Sequence, residues 1–447
     1  MNHGRRTLLG MGMLGAMEPL FAALPPAAGG SGGPALPDTA RRLLDTELAA
    51  VANDPAHPLA SLSVVALRGG RPVYEAAFGR RTIGNGAVPD RPATPATLYR
   101  IASISKLVTT LGLMRLLEDG QVELDADVST WLGFALRNPH FPTQAITLRH
   151  LLLHTSSLRD DGGYFWPATT SLKDMLLPGG ALTWSKQAGP GAYYSYCNLG
   201  FGVIGTLMER VAGERFDRLM ARLVLQPLGL DAGYNPAALT PSAQANLATV
   251  YRKRAPDSET WNPDGPWVAQ VDDTVSRPPA PPPGLDGYLP GANATPFSPT
   301  GGLRISARDL GVVMRMLMAG GVHQGQRLLR TATIEHMFAR HWAYDGVGGN
   351  GNPLGSILSP RGLGNAHYPD RPGLWLTPGF DAVGHLGDAY GLRSVFALDR
   401  ARGDGVVLLA GGTGFDPAAA PGLNSALARY EERILASLYR RAILGQA

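Results

Sequence analysis

The stretch LYRIASISK, residues 98–106, leads from a short β-rich run into a helix and carries a serine and a lysine one helical turn apart. From Ser103 to Glu118, apolar residues recur at steps of three and four, which predicts a largely buried helix that Gly120 is placed to end. Ser103 and Lys106 then lie on the same face of this helix. Lysine is rare here, with four in 447 residues, so its position needs an explanation.

The serine and lysine allow two interpretations. A serine hydroxyl becomes a good nucleophile when a neighbouring base takes its proton, and Lys106 is within reach of Ser103. Burial beside a cleft would lower the pKa of the lysine, so that part of it is a neutral amine. A helix-capping serine followed by a snorkelling lysine explains the pair almost as well. The rest of the chain has to decide between them.

Length and composition predict a loop-rich globular protein with either one large, elaborated domain or two domains. Charged residues make up 17% of the chain, and its 57 Gly and 37 Pro indicate many turns. The formal net charge is +4 and the arginines are scattered, so nucleic acid is not an expected partner. The single cysteine, Cys197, excludes an intrachain disulfide and a four-thiolate metal site.

Residues 1–37 are predicted to be an export signal and linker. Arg5 and Arg6 precede a mildly apolar run over residues 7–17, which is typical of twin-arginine export to the periplasm or beyond. Glu18 interrupts the apolar stretch, and an unstructured tail is the alternative. No other apolar run reaches about 18 residues, so a stable membrane span is not expected in the remaining chain.

The periodicity predicts an α+β fold for residues 38–447. A surface helix is expected within residues 36–54, followed by two strands within 59–81 that a Gly-Gly turn joins. Short helices and loops follow over about 121–300, then three strands and a last helix from about Leu423 to Leu444. We therefore expect an antiparallel sheet built from both ends of the chain, flanked by helices, with a mostly helical subdomain inserted and a cleft at their junction.

A second motif places a phenol and an amide two residues apart. If Tyr196, Cys197 and Asn198 form an extended segment, the phenol and the amide point to one side and the thiol to the other. A phenolate of Tyr196 would be favoured near the ammonium of Lys106 and would suit proton transfer, and Asn198 would hold the lysine in register. Cys197 is expected to be a small buried hydrophobe. Taken alone, Tyr196 would be a core aromatic.

The motifs SISK at 103–106, YCN at 196–198 and HLG at 385–387 together resemble those of the serine β-lactamase and penicillin-binding-protein superfamily. The resemblance extends over roughly residues 45–440. It is to the branch with class C enzymes, family VIII carboxylesterases and D-amino-acid peptidases. It implies a β-lactamase/transpeptidase-like fold and a serine hydrolase that forms an acyl-enzyme on ester or amide substrates.

The resemblance also implies individual roles. Ser103 would be the nucleophile, Lys106 and Tyr196 would move the proton, and the backbone amides of Ser103 and Asp388 would hold the oxyanion. The expected substrate is a small molecule or a peptide. Neither a cofactor nor a metal is expected, and the oligomeric state is left open.

The third motif departs from the class C pattern. His385 stands where those enzymes carry lysine, and a neutral imidazole gives no permanent cation for a substrate carboxylate. Asp388 replaces a small residue and adds negative charge near the oxyanion hole. Gly387 would let substrate backbone approach closely, and Asn198 would contact the substrate carbonyl. These departures favour an esterase or D-amino-acid peptidase.

Three alternatives stay open. The protein could be a β-lactamase, a penicillin-recognising sensor that acylates and then stalls, or an acyltransferase in which a bound alcohol or amine outcompetes water. His154 is assigned a structural hydrogen-bonding role.

Overall fold

The computed structural model describes most of the chain after the first 35 residues. The described residues are 36–177, 182–352, 359–368, 379–423, 425 and 427–446. The predicted export signal and linker, residues 1–37, falls outside them except for its last two positions, so this part of the interpretation stays a prediction. None of the helices in the described ranges combines the length and hydropathy that a membrane span needs.

The N-terminal elements confirm the predicted surface helix, hairpin and serine-bearing helix. In chain order they are α1 (Asp38–Ala52), β1 (Ser61–Arg68), β2 (Arg71–Thr82), β3 (Arg91–Pro92), β4 (Leu98–Arg100) and α2 (Ile104–Glu118). Gly69 and Gly70 turn the hairpin with φ of 55° and 74°, a conformation that suits glycine. Gly120 follows α2 with φ of 69°, as the predicted helix end requires.

Short helices and loops dominate residues 121–300, but two strands also occur there. The elements are α3 (Ser129–Leu132), α4 (Leu148–Leu152), α5 (Leu172–Leu176), α6 (Leu199–Ala212), α7 (Phe216–Met220), α8 (Pro241–Ala245), β5 (Val250–Lys253) and β6 (Trp267–Val271). β5 and β6 belong to a small separate sheet that the sequence pattern does not indicate. The boundaries of an inserted subdomain stay a prediction.

The C-terminal part supplies most of the main sheet. Its elements are β7 (Arg304–Ser306), α9 (Ala307–Met318), β8 (Val322–His323), β9 (Gln326–Arg327), α10 (Thr331–Phe338), β10 (Arg361–Gly362), β11 (Asn365–Tyr368), β12 (Ala382–Ala389), β13 (Leu392–Asp399), β14 (Asp404–Ala410), β15 (Gly412–Thr413) and α11 (Arg429–Ser437), followed by a π-helical turn (Leu438–Ile443).

The prediction for the last helix is wrong at the start of the helix. The sequence predicts a start near Leu423, whereas the helix begins at Arg429. The carboxylate of Glu432 in this helix accepts hydrogen bonds from the backbone N–H groups of Leu423 at 2.8 Å and Ser425 at 2.7 Å. These bonds hold the preceding residues in a turn against the helix instead of letting them extend it.

One eight-stranded sheet combines strands from both ends of the chain, which confirms the predicted α+β fold. Its order is β10-β11-β12-β13-β14-β1-β2-β3, with antiparallel neighbours throughout. Val64 of β1 pairs with Leu408 of β14, and both pack with α1 and α11. The next pair, Val65 and Val407, packs with α2 and α9, because side chains alternate between the faces of a sheet.

The N-terminus of α2 lies against strand β12. The hydroxyl of Ser394 on β13 donates to the carbonyl oxygen of Ile101 at 3.0 Å. A Cβ atom at Gly387 would lie 2.2 Å from Ser394 Oγ and 2.6 Å from Ile101 O, so glycine is required for this close approach. The packing of strand on helix therefore explains Gly387, whereas the sequence had suggested room for a substrate backbone.

Replacing Gly387 by alanine is expected to lower the free energy of unfolding by about 1–3 kcal/mol, because overpacking forces β12 away from Ile101. Urea denaturation followed by tryptophan fluorescence measures the difference. Gly200→Ala in α6 is the matched control, since its Cβ would lie 3.6 Å from the nearest atom and alanine favours a helix. Equal stability of the two variants would contradict the packing argument.

Candidate active site

A cleft of about 900 Å³ lies where β12 meets the helical segments. The predicted site residues that line it are Ser103, Tyr196, Asn198, His385, Gly387 and Asp388. Lys106 is buried beneath the cleft and contacts Ser103 directly. The structure thus brings together every site residue that the sequence predicted.

Ser103 stands at the N-cap of α2, after a strained residue. Ala102 has φ of 48°, a left-handed conformation that costs a non-glycine residue about 1–2 kcal/mol. Such strain persists only where the surroundings fix the backbone, here through the contacts of Ile101 with β12 and β13. The strained turn presents the serine to the cleft.

Lys106 is fully buried and makes three polar contacts. Its Nζ lies 3.0 Å from Ser103 Oγ, 2.8 Å from Asn198 Oδ1 and 2.9 Å from the carbonyl oxygen of Thr300. Burial lowers the pKa of Lys106 to about 7, although the carboxylate of Asp160 opposes this shift. The predicted lowering of the lysine pKa is therefore present, and burial is its main cause.

Tyr196 lies beside both the serine and the lysine. Its side chain is in hydrogen-bond contact with Ser103, and Lys106 Nζ lies 5.0 Å from the ring centroid. The ring stacks on His154 with the centroids 4.4 Å apart. Burial raises the pKa of Tyr196 to about 12, so the group is a neutral phenol near neutral pH. The expected phenolate is thus wrong, because desolvation outweighs the hydrogen bond with Ser103 and the charge of Arg361, which both lower the pKa of Tyr196.

Asp160 orients the amide of Asn198 and was missed by the sequence analysis. Asn198 donates to Asp160 Oδ2 from its backbone N–H at 2.8 Å and from Nδ2 at 2.9 Å. Leu199 N donates to Asp160 Oδ1 at 2.9 Å, so the carboxylate also binds the first N–H groups of α6. With Nδ2 held there, Oδ1 of Asn198 faces Lys106 and also accepts from Thr300 Oγ1 at 2.7 Å.

Cys197 is buried, and its thiol shares the carboxylate of Asp160 with the amide of Asn198. Its thiol lies 3.3 Å from Asp160 Oδ1, to which it donates, and burial raises the pKa of Cys197 well above its ordinary value. The thiol is therefore not poised as a nucleophile. His154 Nδ1 accepts from the backbone N–H of Cys197 at 3.1 Å, in agreement with the structural role expected for this histidine.

His385 is neutral, as the sequence suggested. It is 2% exposed on β12, and burial, together with the charges of Arg361 and Lys106, holds the pKa of His385 well below its ordinary value. Its Nδ1 lies 2.6 Å from the carbonyl oxygen of Leu386, which can only accept, so Nδ1 carries the proton. The cleft therefore has no permanent cation at this position.

Asp388 adds less negative charge to the cleft than the sequence suggested. Its exposed carboxylate lies 2.5 Å from Nη1 of Arg393, whose Nη2 also lies 3.0 Å from the buried carboxylate of Glu431. Asp388 and Ser103 line the same cleft, but the oxyanion hole formed by their backbone amides stays a prediction.

The outer wall of the cleft is aromatic. Tyr164, Phe165 and Tyr390 line it and are 43%, 57% and 50% exposed. Arg100 lies against this wall, with Cζ 5.4 Å from the Tyr390 ring centroid and Nε donating to Gly301 O at 3.1 Å. Within the described ranges, no group of three or more His, Cys, Asp or Glu side chains is placed to hold a metal ion.

Comparisons with known proteins match this architecture. The family model described as Beta-lactamase matches residues 41–428. A penicillin-binding protein of Bacillus subtilis (strain 168) is 30% identical over 177 residues, 38% of this chain and 36% of that protein. Esterase EstB of Burkholderia gladioli is 31% identical over 165 residues, 32% of this chain and 40% of that protein. The chain thus spans less than half the length of either curated relative.

A solved structure shares the fold over most of the chain. The octameric penicillin-binding protein homologue from Pyrococcus abyssi has a TM-score of 0.63 at 21% identity, covering 91% of this chain and 77% of that chain. At this identity the likeness concerns the fold alone. Because the family model covers residues 41–428, the chain belongs to the beta-lactamase family.

Proposed function

We propose that this protein is a serine hydrolase that cleaves uncharged esters or amides through an acyl-enzyme. The proposal rests on the polar contacts of Lys106. Two of its three polar neighbours, Asn198 Oδ1 and the carbonyl oxygen of Thr300, can only accept hydrogen bonds, and the third is the hydroxyl of Ser103.

These contacts determine which neighbour the lone pair of the Lys106 amine faces. A neutral amine has two N–H bonds and one lone pair, and the two carbonyl oxygens accept both N–H groups. The lone pair is left for the Ser103 hydroxyl, whose proton it can take. Because burial lowers the pKa of Lys106 to about 7, this neutral form is available near neutral pH.

In the proposed reaction Ser103 Oγ attacks the carbonyl carbon while its proton moves to Lys106 Nζ. The backbone amides of Ser103 and Asp388 hold the oxyanion of the tetrahedral intermediate. The bond to the leaving group then breaks, and the leaving group takes the proton from Lys106 through the hydroxyl of Tyr196. Water attacks the acyl-serine, its proton passes to Lys106 through Tyr196, and the serine regains a proton as the acid product leaves.

The charges at two positions of the cleft support substrates that lack a carboxylate. His385 is neutral, and the guanidinium of Arg393 is engaged by the carboxylates of Asp388 and Glu431. Neither residue therefore offers a free cation to a substrate carboxylate. Of the two related proteins, one is a penicillin-binding protein and one an esterase. The charge pattern favours esters and uncharged or amine-bearing D-amino-acid peptides over β-lactams.

We also propose that the chain is exported. The proposal is supported by the adjacent Arg5 and Arg6 before the apolar run at residues 7–17.

Ser103→Ala is expected to abolish both covalent labelling by a fluorophosphonate probe and turnover of p-nitrophenyl acetate, because it removes the atom that forms the acyl bond. Ser105→Ala is the control on the same helix and should keep both activities, although Ser105 Oγ accepts from Leu303 N at 3.1 Å. Labelling of the Ser103 variant would remove this serine from the mechanism.

The same assay separates the alternatives. A label or an acyl group that persists without turnover would favour a sensor, and transfer of the acyl group to added methanol in preference to water would favour an acyltransferase. Faster turnover of a β-lactam than of the ester would contradict the substrate proposal.

The kcat/KM of the neutral ester is expected to rise with pH and to level off above a midpoint of about 7, the pKa to which burial lowers Lys106. Below the midpoint the amine is protonated and cannot accept the serine proton, so activity falls as pH falls. Stopped-flow or plate assays over a buffered pH series measure the curve. A midpoint at 10.5, the ordinary pKa of lysine, would contradict the assignment of Lys106 as base.

Asp160→Asn is expected to reduce kcat by about 100-fold with a smaller change in KM, because the amide of Asn198 loses an acceptor and no longer holds Lys106 in place. Asp161→Asn is the matched control, since this neighbouring carboxylate is exposed. Introducing Asp160→Asn into an Asn198→Ala variant should cause little further loss, because the two residues act as a unit. Additive losses would show that Asp160 acts independently of Asn198.

A further inference from the structure

The side chain of Arg361 is buried without a hydrogen-bond or ion-pair partner among the described residues. Its side chain is 0% exposed, and Nε, Nη1 and Nη2 have no hydrogen-bond acceptor there. Removing an ion from water costs several kcal/mol, and buried guanidinium groups are normally paired for this reason. The unpaired charge of Arg361 therefore calls for a functional explanation.

A continuous set of buried contacts connects Arg361 with the catalytic groups. Its Cζ lies 5.8 Å from the ring centroid of Tyr194, whose centroid lies 6.0 Å from that of His154. His154 stacks on Tyr196 at 4.4 Å, and Lys106 Nζ lies 5.0 Å from the Tyr196 ring. Arg361 is not among the residues that line the cleft, so it acts from behind the site and does not touch the substrate.

Among the described residues, Arg361 is the one group acting on Lys106 that carries a fixed positive charge. The titratable groups that act on Lys106 or contact it are Tyr196, Cys197, Asp160, His154, His385 and Arg361. Burial keeps the first two protonated and uncharged, and it keeps both histidines neutral. The carboxylate of Asp160 favours the ammonium form of Lys106, and Arg361 is the charged group that adds to the larger effect of burial in opposing it.

We propose that Arg361 is a positioning residue for the proton. Its charge adds to the effect of burial and favours the neutral, proton-accepting form of Lys106. This inference rests on the proposed serine hydrolase function. Asp160 is needed to orient Asn198, but its negative charge would hold a proton on the amine. A buried cation behind the cleft offsets part of that charge without occupying the cleft.

The size of the effect follows from Coulomb's law. At an effective dielectric constant of about 20, two unit charges separated by about 10–20 Å interact by about 0.6–1.2 pKa units. Water and salt screen this interaction little, because Arg361 and Lys106 are both 0% exposed.

The test is Arg361→Met, which keeps an unbranched apolar stem and removes the charge. The midpoint of the rise of kcat/KM with pH is expected to move up by about one pH unit. Activity at neutral pH should then fall about fivefold and recover at mildly alkaline pH.

A matched control removes one exposed positive charge from the same end of the sheet. Arg340→Met should leave the midpoint unchanged, because the side chain of Arg340 is 57% exposed and solvent screens its charge. An unmoved midpoint in Arg361→Met, or an equal movement in Arg340→Met, would overturn the inference.

Thermal unfolding separates an electrostatic role from a structural one. Replacing an unpaired buried charge by an apolar residue of similar length is expected to raise the melting temperature of Arg361→Met. A fall in melting temperature with an unmoved midpoint would show that Arg361 serves the fold. If Arg361→Met does not fold, Arg361→Gln keeps the same test, with the same upward movement of the midpoint expected.

The pH dependence of fluorophosphonate labelling distinguishes this inference from the proposed function. Wild-type protein that is not labelled at Ser103 would overturn the proposed function and this inference with it. Labelling whose pH midpoint is the same in wild type and Arg361→Met would overturn the role of Arg361 and leave the hydrolase proposal standing.

Discussion

The site depends on the hydrogen bonds made by the buried amine of Lys106. It joins three segments that are distant in the chain, namely helix α2, the start of α6 at Asn198 and the loop that carries Thr300. A nitrogen with no access to water has to find its hydrogen bonds within the protein, or the fold loses several kcal/mol. The contacts that satisfy this nitrogen are the same ones that leave its lone pair facing Ser103. The same arrangement of contacts around Lys106 therefore serves both the stability of the fold and the proposed chemistry.

The two sides of the cleft are held by different kinds of interaction. On the sheet side, Gly387 lets β12 pack directly on the turn before Ser103, and a single added carbon would separate them. On the helical side, the carboxylate of Asp160 fixes the Asn198 amide through charge-assisted hydrogen bonds, which are short and directional. Packing fixes the position of Ser103, and hydrogen bonding fixes the orientation of the groups around it.

Periodicity and motif order predicted the sheet, helix α2 and the set of residues that line the cleft, because these depend on local patterns and on a resemblance that covers most of the chain. Other features depend on contacts between distant residues. No local sequence pattern around Asp160 indicates that its carboxylate binds the amide of Asn198. Arg361 differs from the other arginines of the chain in its burial, which the sequence does not show. The neutral phenol of Tyr196 was missed for the same reason, since desolvation is a property of the assembled pocket.

Several features near Tyr196 lower the stability of the fold. Arg361 and the Nε2 atoms of His154 and His385 are buried without partners among the described residues, and Ala102 is strained. The large apolar clusters on both faces of the sheet offset such costs. Charges and dipoles fixed in a dry site do not have to reorganise when a proton moves, which is how an enzyme environment differs from water. Both histidines lie within 6.4 Å of the Tyr196 ring, centroid to centroid, close to the serine whose proton moves in the proposed reaction.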